Sequence, residues 1–347
     1  MKNSLLFLSF LFLTATAFAQ NTLIVDNTGS APTGDHVYTN LQTAIDAAQE
    51  GDIIHVMPSP TSYGDITIEK DNSGISIFGN GYLATNIINR SMIGSTTIKG
   101  DNIRLSGITF FSSTNSLVIS SDDPLDKANN IIIDNTEVEG YRLKVEYASN
   151  VLFKGCFITA SGQGSSSTRS EITNNSEGVV FSNSIVLSTF DDLYNTEFYY
   201  TIIQGGLGFL SAGILSENAF TNSIILLSSL TSNEDNITNN DFENNYSSTS
   251  LQIGTNGNIG ADNIINEGVI DVFESDGTNW LNEFNPNLPE GSSLIGAASD
   301  GSDLGVFGGS SPYSQTGISL PYIQELIAPL TIKKGSDTEV TIKAKGN

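Results

Sequence analysis

The sequence predicts a right-handed parallel β-helix, an all-β solenoid with coils of about 20–28 residues and an amino-terminal capping helix. Three observations carry that prediction. A nine-residue unit recurs along the chain, almost verbatim in FSNSIV (181–186) and FTNSII (220–225). Its sixth place is nearly always Gly or Asn. The steps between units leave room for one more strand and a loop in each coil.

In chain order, residues 1–19 read as a secretory signal peptide. Lys2 precedes an apolar run broken only by Ser9, and Ala17-Phe18-Ala19 is a small-x-small cleavage site. That run is too short to span a bilayer, and no later segment is apolar enough to do so. The mature chain is therefore expected to start near Gln20, to carry no transmembrane segment, and to reside outside the cell or on the outer surface of a bacterium. A solenoid exposes apolar edges at its ends, so a cap is expected. Leu41, Ala44, Ile45 and Ala48 fall on one helical face. Thr39 with Gln42 has the spacing of a capping box, and Gly51 is a suitable stop. Strands DIIHV, GDITI and GISIFG then begin the winding.

The units follow from a scan for apolar residues at places 2, 4 and 9, although place 2 holds Thr196, Asn218 and Asp235 in the last three. They start at 74, 102, 130, 150, 178, 195, 217 and, more weakly, 234. Place 4 is Ile77, Leu105, Ile133, Phe153, Phe181, Phe198, Phe220 and Ile237, at steps of 28, 28, 20, 28, 17, 22 and 17 residues. A fixed short unit with irregular steps is a solenoid whose loops vary in length. Place 6 is Gly79, Gly107, Asn135, Gly155, Asn183, Tyr200, Asn222 and Asn239. Gly and Asn tolerate the left-handed backbone best, so the chain bends there. YRLKVEY (141–147) supplies a third strand with Tyr141, Leu143, Val145 and Tyr147 on one face. Stacked coils would place Phe153, Phe181, Phe198 and Phe220 in one internal file, with the Asn side chains bonding between coils at the bend. The solenoid is expected over 20–313. Residues 314–347 form a carboxy-terminal β appendage or linker, with TIKKGSDTEVTIKAKGN giving two strands around a Gly-Ser-Asp turn.

Composition narrows the function. The formal net charge is −24, and no Lys or Arg occurs between Arg169 and Lys333 while that interval holds 20 carboxylates. Phosphate contacts need cations, so nucleic-acid binding is disfavoured, as is a polyanion lying along the second half. A lone cysteine, Cys156, excludes an internal disulfide framework. Its place in the unit is held elsewhere by Thr136, Ser184, Thr201 and Ser223, which marks it as a small buried side chain.

The amino-terminal run LQTAIDAAQEGDIIHVMP, YGDITIEK and ISIFGNGY resembles the opening of the pectin-lyase-like superfamily, in its right-handed β-helix repeat branch. DGSDLGVFGGSSPY (300–313) is similar to the closing segment of secreted bacterial β-helix proteins, especially those of Bacteroidetes. The likeness covers roughly residues 22–313 and is specific for architecture. The superfamily hosts lyases, hydrolases, epimerases, adhesins and inert spikes. Its lyases, by resemblance, carry an Arg or Lys base and carboxylate-held calcium on a parallel sheet.

Here only Arg142 and Lys144 suit the base, alternating outward on one strand with Glu146. Glu171 and the pair Asp191-Asp192 would supply calcium ligands, and Asp300 with Asp303 forms a second candidate calcium loop. The plain alternative is a surface row with salt pairs across coils. A polygalacturonase-type site would need a histidine with the carboxylates, yet the two histidines, His36 and His55, lie near the cap. His55 reads as structural. No phosphate loop, zinc spacing or serine-hydrolase elbow is present.

These features favour a non-catalytic β-helix protein that binds a polysaccharide or cell-surface glycan, or serves as an adhesive or structural module. The alternative is a polysaccharide lyase-like enzyme acting by β-elimination with a Lys or Arg base. A purely structural spike or an ice- or mineral-facing surface comes third, because regular outer Thr files are lacking.

Overall fold

The computed structural model describes residues 20–29, 34–82, 90–159, 169–204, 213–227, 230, 234–266, 272–273 and 286–313, with the backbone of 322–327 and 341–345. The expected signal peptide lies outside the described residues. Within them the chain winds three parallel sheets of twelve, eight and nine strands. Sheet 1 runs from Val37–Tyr38 at its edge through Thr22–Val25, Ile53–Val56, Ala148–Lys154 and Glu177–Ser182 to Ile259–Ala261. Sheet 2 runs from Ile66–Ile68 through Leu143–Glu146, Ser170–Ile172 and Phe190–Tyr194 to Ile237–Thr238. Sheet 3 runs from Met92–Ile93 through Glu137–Gly140 and Phe157–Ile158 to Ile264–Ile265. From Ile66–Ile68 to Tyr246–Ser247, successive strands visit the three sheets in turn and each pairs with its counterpart one coil away. With the right-handed crossover that parallel strands adopt, this is the right-handed parallel β-helix.

The nine-residue unit makes the corner between sheets 1 and 3. Its places 2 and 4 point inward from the sheet 1 strand, and place 9 points inward from the sheet 3 strand, as Val179, Phe181 and Val186 do. Place 6 is left-handed in Gly107, Asn135, Gly155, Asn183, Tyr200 and Asn222, with φ of 47–68°. Gly79 is the exception. It is needed for space, because a Cβ there would lie 2.4 Å from the Gly107 carbonyl oxygen. A second left-handed bend stands at place 1, in Asn102, Asn130, Asn150, Gly178, Asn195 and Glu217. From the unit starting at Asn102 to that starting at Glu217, two sharp bends thus mark each repeat.

Phe153, Phe181, Phe198 and Phe220 stack at centroid distances of 4.7, 5.0 and 4.9 Å, and Phe242 extends the file at 5.0 Å. Such pairs add about 0.5–1.5 kcal/mol each beyond their burial. Phe242 also corrects the last unit. Ile237 lies on sheet 2, paired with Leu215, and Asn239 is a first-place bend. The true unit starts at Asn239 and bends at Asn244, and a ninth starts at Gly257 and bends at Asp262.

In these late coils place 2 is polar. Asn218, Asn240 and Asn258 form a buried ladder in which each Oδ1 accepts the backbone N–H of the preceding coil's place-2 residue, at 3.0 Å each. Ser223, Asn245 and Asn263 repeat the device at place 7, at 3.1, 2.9 and 3.0 Å. Backbone donors turned out of the sheets at the bends are satisfied in this way. Cys156 occupies the same place 7, buried, with its Sγ donating to the Ile133 carbonyl at 3.2 Å.

The ends differ from expectation in several details. Winding begins at Thr22–Val25, which pairs with Ile53–Val56, so the helix Leu41–Ala47 is inserted after the first strand. The helix buries Leu41, Ala44 and Ile45, and its N-cap is Asn40, whose Oδ1 accepts the Thr43 N–H at 2.9 Å. Gln42 is therefore free of capping and clamps Thr67 instead, accepting its N–H at 2.8 Å and donating to its carbonyl at 2.9 Å. Tyr147 sits at a left-handed bend and Tyr141 lies before the strand, so neither joins the inward face of Leu143 and Val145. At the far end, Tyr322–Ile327 pairs antiparallel with Thr341–Lys345. The expected strand at 331–334 lies outside the described residues.

The segment 294–313, which includes the expected closing segment, carries no strand of the three sheets. It folds back along the outside of sheet 3 as a strap. Asn183 Nδ2 donates to the Val306 and Gly308 carbonyls at 3.0 and 2.9 Å, and Asn222 exchanges bonds with Ser299 at 3.0 and 2.9 Å. Gly308 and Gly309 lie so close to the Tyr200 ring that a Cβ would sit 2.5 and 2.8 Å from it. Beneath the strap Phe157, Ile185, Ile202, Ile224 and Tyr246 join Leu294, Leu304, Val306 and Tyr313 in a second apolar core.

Candidate functional site

The outward face of sheet 2 gathers most of the residues that the sequence singles out. Leu143 and Val145 point into the core, so strand alternation turns Arg142, Lys144 and Glu146 outward. Lys144 stands in register with Glu171 one coil on. Between the next strands Ser170 pairs with Phe190 but Ile172 pairs with Leu193, so Asp191 and Asp192 together oppose Glu171. Two residues facing one is a β-bulge, which re-aims side chains at the edge of a regular ladder.

These groups neutralise one another. Glu171 Oε1 binds both the Arg142 guanidinium and Lys144 Nζ, the latter at 3.1 Å. Lys144 Nζ also meets Glu146 Oε2 at 2.5 Å. Arg169, which the sequence reading passed over, pairs with Asp191 at 3.1 Å. Asp192 Oδ1 accepts the Ile214 N–H at 3.0 Å. The cluster holds three cations and four carboxylates, all half-buried.

The electrostatics bear on chemistry. Partial burial would lower the Lys144 pKa, but the hydrogen bonds it donates to Glu146 and Glu171 and their charges outweigh it and leave it above the ordinary lysine value. A lysine base must lose its proton near neutral pH, and this one is held charged. The carboxylates expected to bind calcium are engaged by cations or backbone donors. Among the described residues no three His, Cys, Asp or Glu side chains are grouped to hold a metal ion.

Asp300 and Asp303 are elsewhere, in the strap over sheet 3. Asp300 Oδ1 accepts the Ser302 N–H at 3.0 Å and its hydroxyl at 2.6 Å, and Asp303 Oδ1 accepts the Gly296 N–H at 2.9 Å. Hydrogen bonds from Ser302 also lower the Asp300 pKa. Both carboxylates brace turns of the strap.

His36 is exposed, and half-buried His55 tilts against Phe78 at 6.0 Å, its pKa lowered by burial. A second cluster, absent from the sequence reading, lies at the closed end of the strap. Glu137 is buried with Arg90 Nη1 at 3.0 Å, beside the paired hydroxyls of Tyr82 and Tyr313. No pattern in the sequence links these four residues, because three distant segments bring them together.

No helix of the described residues is long and apolar enough to cross a membrane. No protein-family model matches the chain, and no characterised protein sequence matches it. Among solved structures, that of pectate lyase Pel9A is similar, with a TM-score of 0.44 and 13% identity, covering 83% of this chain and 96% of that one.

Proposed function

We propose that this protein is a non-catalytic β-helix presented outside the cell, whose sheet 2 face is a rigid platform for a glycan. One observation carries the reading. Lys144 is clamped by Glu146 and Glu171, and Arg142 is tied to the same Glu171, so neither cation is available as a base. With its cations paired and carboxylates in excess, the face favours neutral sugars over polyuronates. The test is a glycan array paired with an elimination assay in calcium. Retention of neutral glycans without unsaturated products supports the reading, and calcium-dependent unsaturated products abolished by Lys144→Ala overturn it. Export is tested by sequencing the amino terminus of the secreted chain, expected at Gln20.

One feature favours a lyase as the second reading. The bulge sets Asp191 and Asp192 opposite Glu171, one coil from Arg142 and Lys144. In that case a calcium ion would draw Glu171 away from Lys144, and addition of calcium would lower the Lys144 pKa, measurable by NMR titration.

A further inference from the structure

The two ends of the solenoid are finished differently. At the head, Val37–Tyr38 covers the first strand of sheet 1 and the helix Leu41–Ala47 buries its apolar face. Gln42 there occupies both backbone groups of Thr67, on the first strand of sheet 2. At the tail, sheets 1 and 3 stop at Ile259–Ala261 and Ile264–Ile265, with no further strand among the described residues. Ile253, Ile259, Ile264 and Ile265 are exposed on this last coil, Ile259 by 61%. Its hydrogen bonding is unfinished as well. The place-7 N–H groups of Thr201, Ser223 and Asn245 are each met by a side chain of the following coil. The Asn263 N–H, next in that series, has no partner among the described residues. Asp241 Oδ1, one strand in, is buried and equally unpaired. An open row of strands with bare backbone groups is a template for one more strand of polypeptide.

Charge points to the occupant. Lys333, Lys334, Lys343 and Lys345 are the only cations after Arg169, whereas Asp241, Glu243 and Asp262 stand at the tail. Lys343 and Lys345 belong to the strand Thr341–Lys345, where they alternate with Ile342 and Ala344. That strand pairs only with Tyr322–Ile327, and two strands alone are marginally stable in water, so joining a larger sheet stabilises them. They do not cover the tail of their own molecule, whose Ile259 stays exposed. The strap carries the chain away from it instead. Ala297 meets Asn244, Ser299 meets Asn222, Val306 meets Asn183, and the Tyr313 hydroxyl meets that of Tyr82. The appendage therefore leaves toward the head. We propose that the tail of one molecule receives the strand Thr341–Lys345 of a second copy of this chain. Backbone pairing gives the attraction, and the lysines against the tail carboxylates select the partner. Donor and acceptor are different surfaces, so each molecule can give and receive, and copies join head to tail in an open series.

The test is analytical ultracentrifugation of the chain from Gln20 to Asn347 over about 1–100 μM, where weak association is visible. The wild type should grow from monomer into dimers, trimers and longer species. Ile259→Lys sets a charge on the exposed edge that repels the donor lysines, and should raise the concentration needed by about tenfold or more. Ile265→Lys repeats the test should the first variant not fold. Lys343→Glu combined with Lys345→Glu should weaken association equally from the donor side. An equimolar mixture of Ile259→Lys with the doubly substituted chain should recover association but halt at the dimer, because one intact tail meets one intact strand. Leu125→Lys, at a loop position 95% exposed, is the control and should associate like the wild type. A wild type that stays monomeric throughout overturns the proposal. So does association that survives both Ile259→Lys and Ile265→Lys. Association lost in Ile259→Lys but untouched in the doubly substituted chain marks a symmetric tail-to-tail contact and overturns it too.

Discussion

Replacing Asn240 by alanine tests whether the asparagine ladder is structural. Asn240 is fully buried. Its Oδ1 accepts from the Asn218 backbone N–H and from Asn218 Nδ2, both at 3.0 Å. Its Nδ2 donates to the Leu215 carbonyl at 2.9 Å and to Asn258 Oδ1 at 3.0 Å. Asn218 Nδ2 retains the Leu193 and Ser216 carbonyls, and Asn258 Oδ1 retains the Asn240 N–H. Two backbone groups therefore lose these partners in the interior, the Asn218 N–H and the Leu215 C=O. At about 1–3 kcal/mol for each unsatisfied group, the loss is roughly 2–6 kcal/mol. Urea unfolding followed by circular dichroism measures the total. Hydrogen exchange locates it, with protection falling first around coils containing Leu215 and Asn258, because a solenoid couples mainly to its neighbours. Thr221→Ala, on the outward face, should stay within about 0.5 kcal/mol. A cost for Asn240→Ala no larger than that of Thr221→Ala would refute the ladder argument.

Three further outcomes follow from the core and the strap. Phe198→Ala should cost about 3–5 kcal/mol in denaturant unfolding, since it opens a gap between Phe181 and Phe220, and Phe198→Leu should cost clearly less. Gly305→Ala places a side chain on a left-handed backbone with its Cβ 2.8 Å from Ile224 Cδ1. It should cost about 1–2 kcal/mol and speed exchange in the strap, leaving the Phe file protected. Cys156 is fully buried with its thiol pKa pushed up, so a thiol reagent should label it only in denaturant, and stoichiometric labelling of the native chain would contradict its place in the core.

The fold was legible because aromatic and β-branched residues recur at a fixed place and bends demand Gly or Asn. The same rule misled at Ile237. There EDNITNN imitates places 4 and 6, while the genuine unit carries Asn240 where an apolar residue was required. A buried polar ladder looks like a broken repeat until the coils are stacked. The outward orientation of Arg142, Lys144 and Glu146 followed from alternation alone. Their partners did not, because loop length sets which residues of adjacent coils meet, and the bulge at Asp191-Asp192 has no sequence marker. The strap was invisible for another reason. DGSDLGVFGGSSPY has no period, and the hydrogen-bond partners of the strap on the coils lie 53 to 231 residues away.

Those separations bear on how the chain reaches its final state. Coils can form in sequence as the polypeptide emerges, each on the one before. Ile185, Ile202 and Ile224, however, find no cover until the strap follows, and the Asn222–Ser299 contact alone spans 77 residues. At about 5–20 residues per second of synthesis, that is a delay on the order of 4–15 s. During it a nascent solenoid carries a bare apolar stripe along its flank, open to aggregation or to a chaperone's grip. Chains ending before residue 294 would keep that stripe for good. The strap thus decides whether the flank of every coil wound before it stays covered.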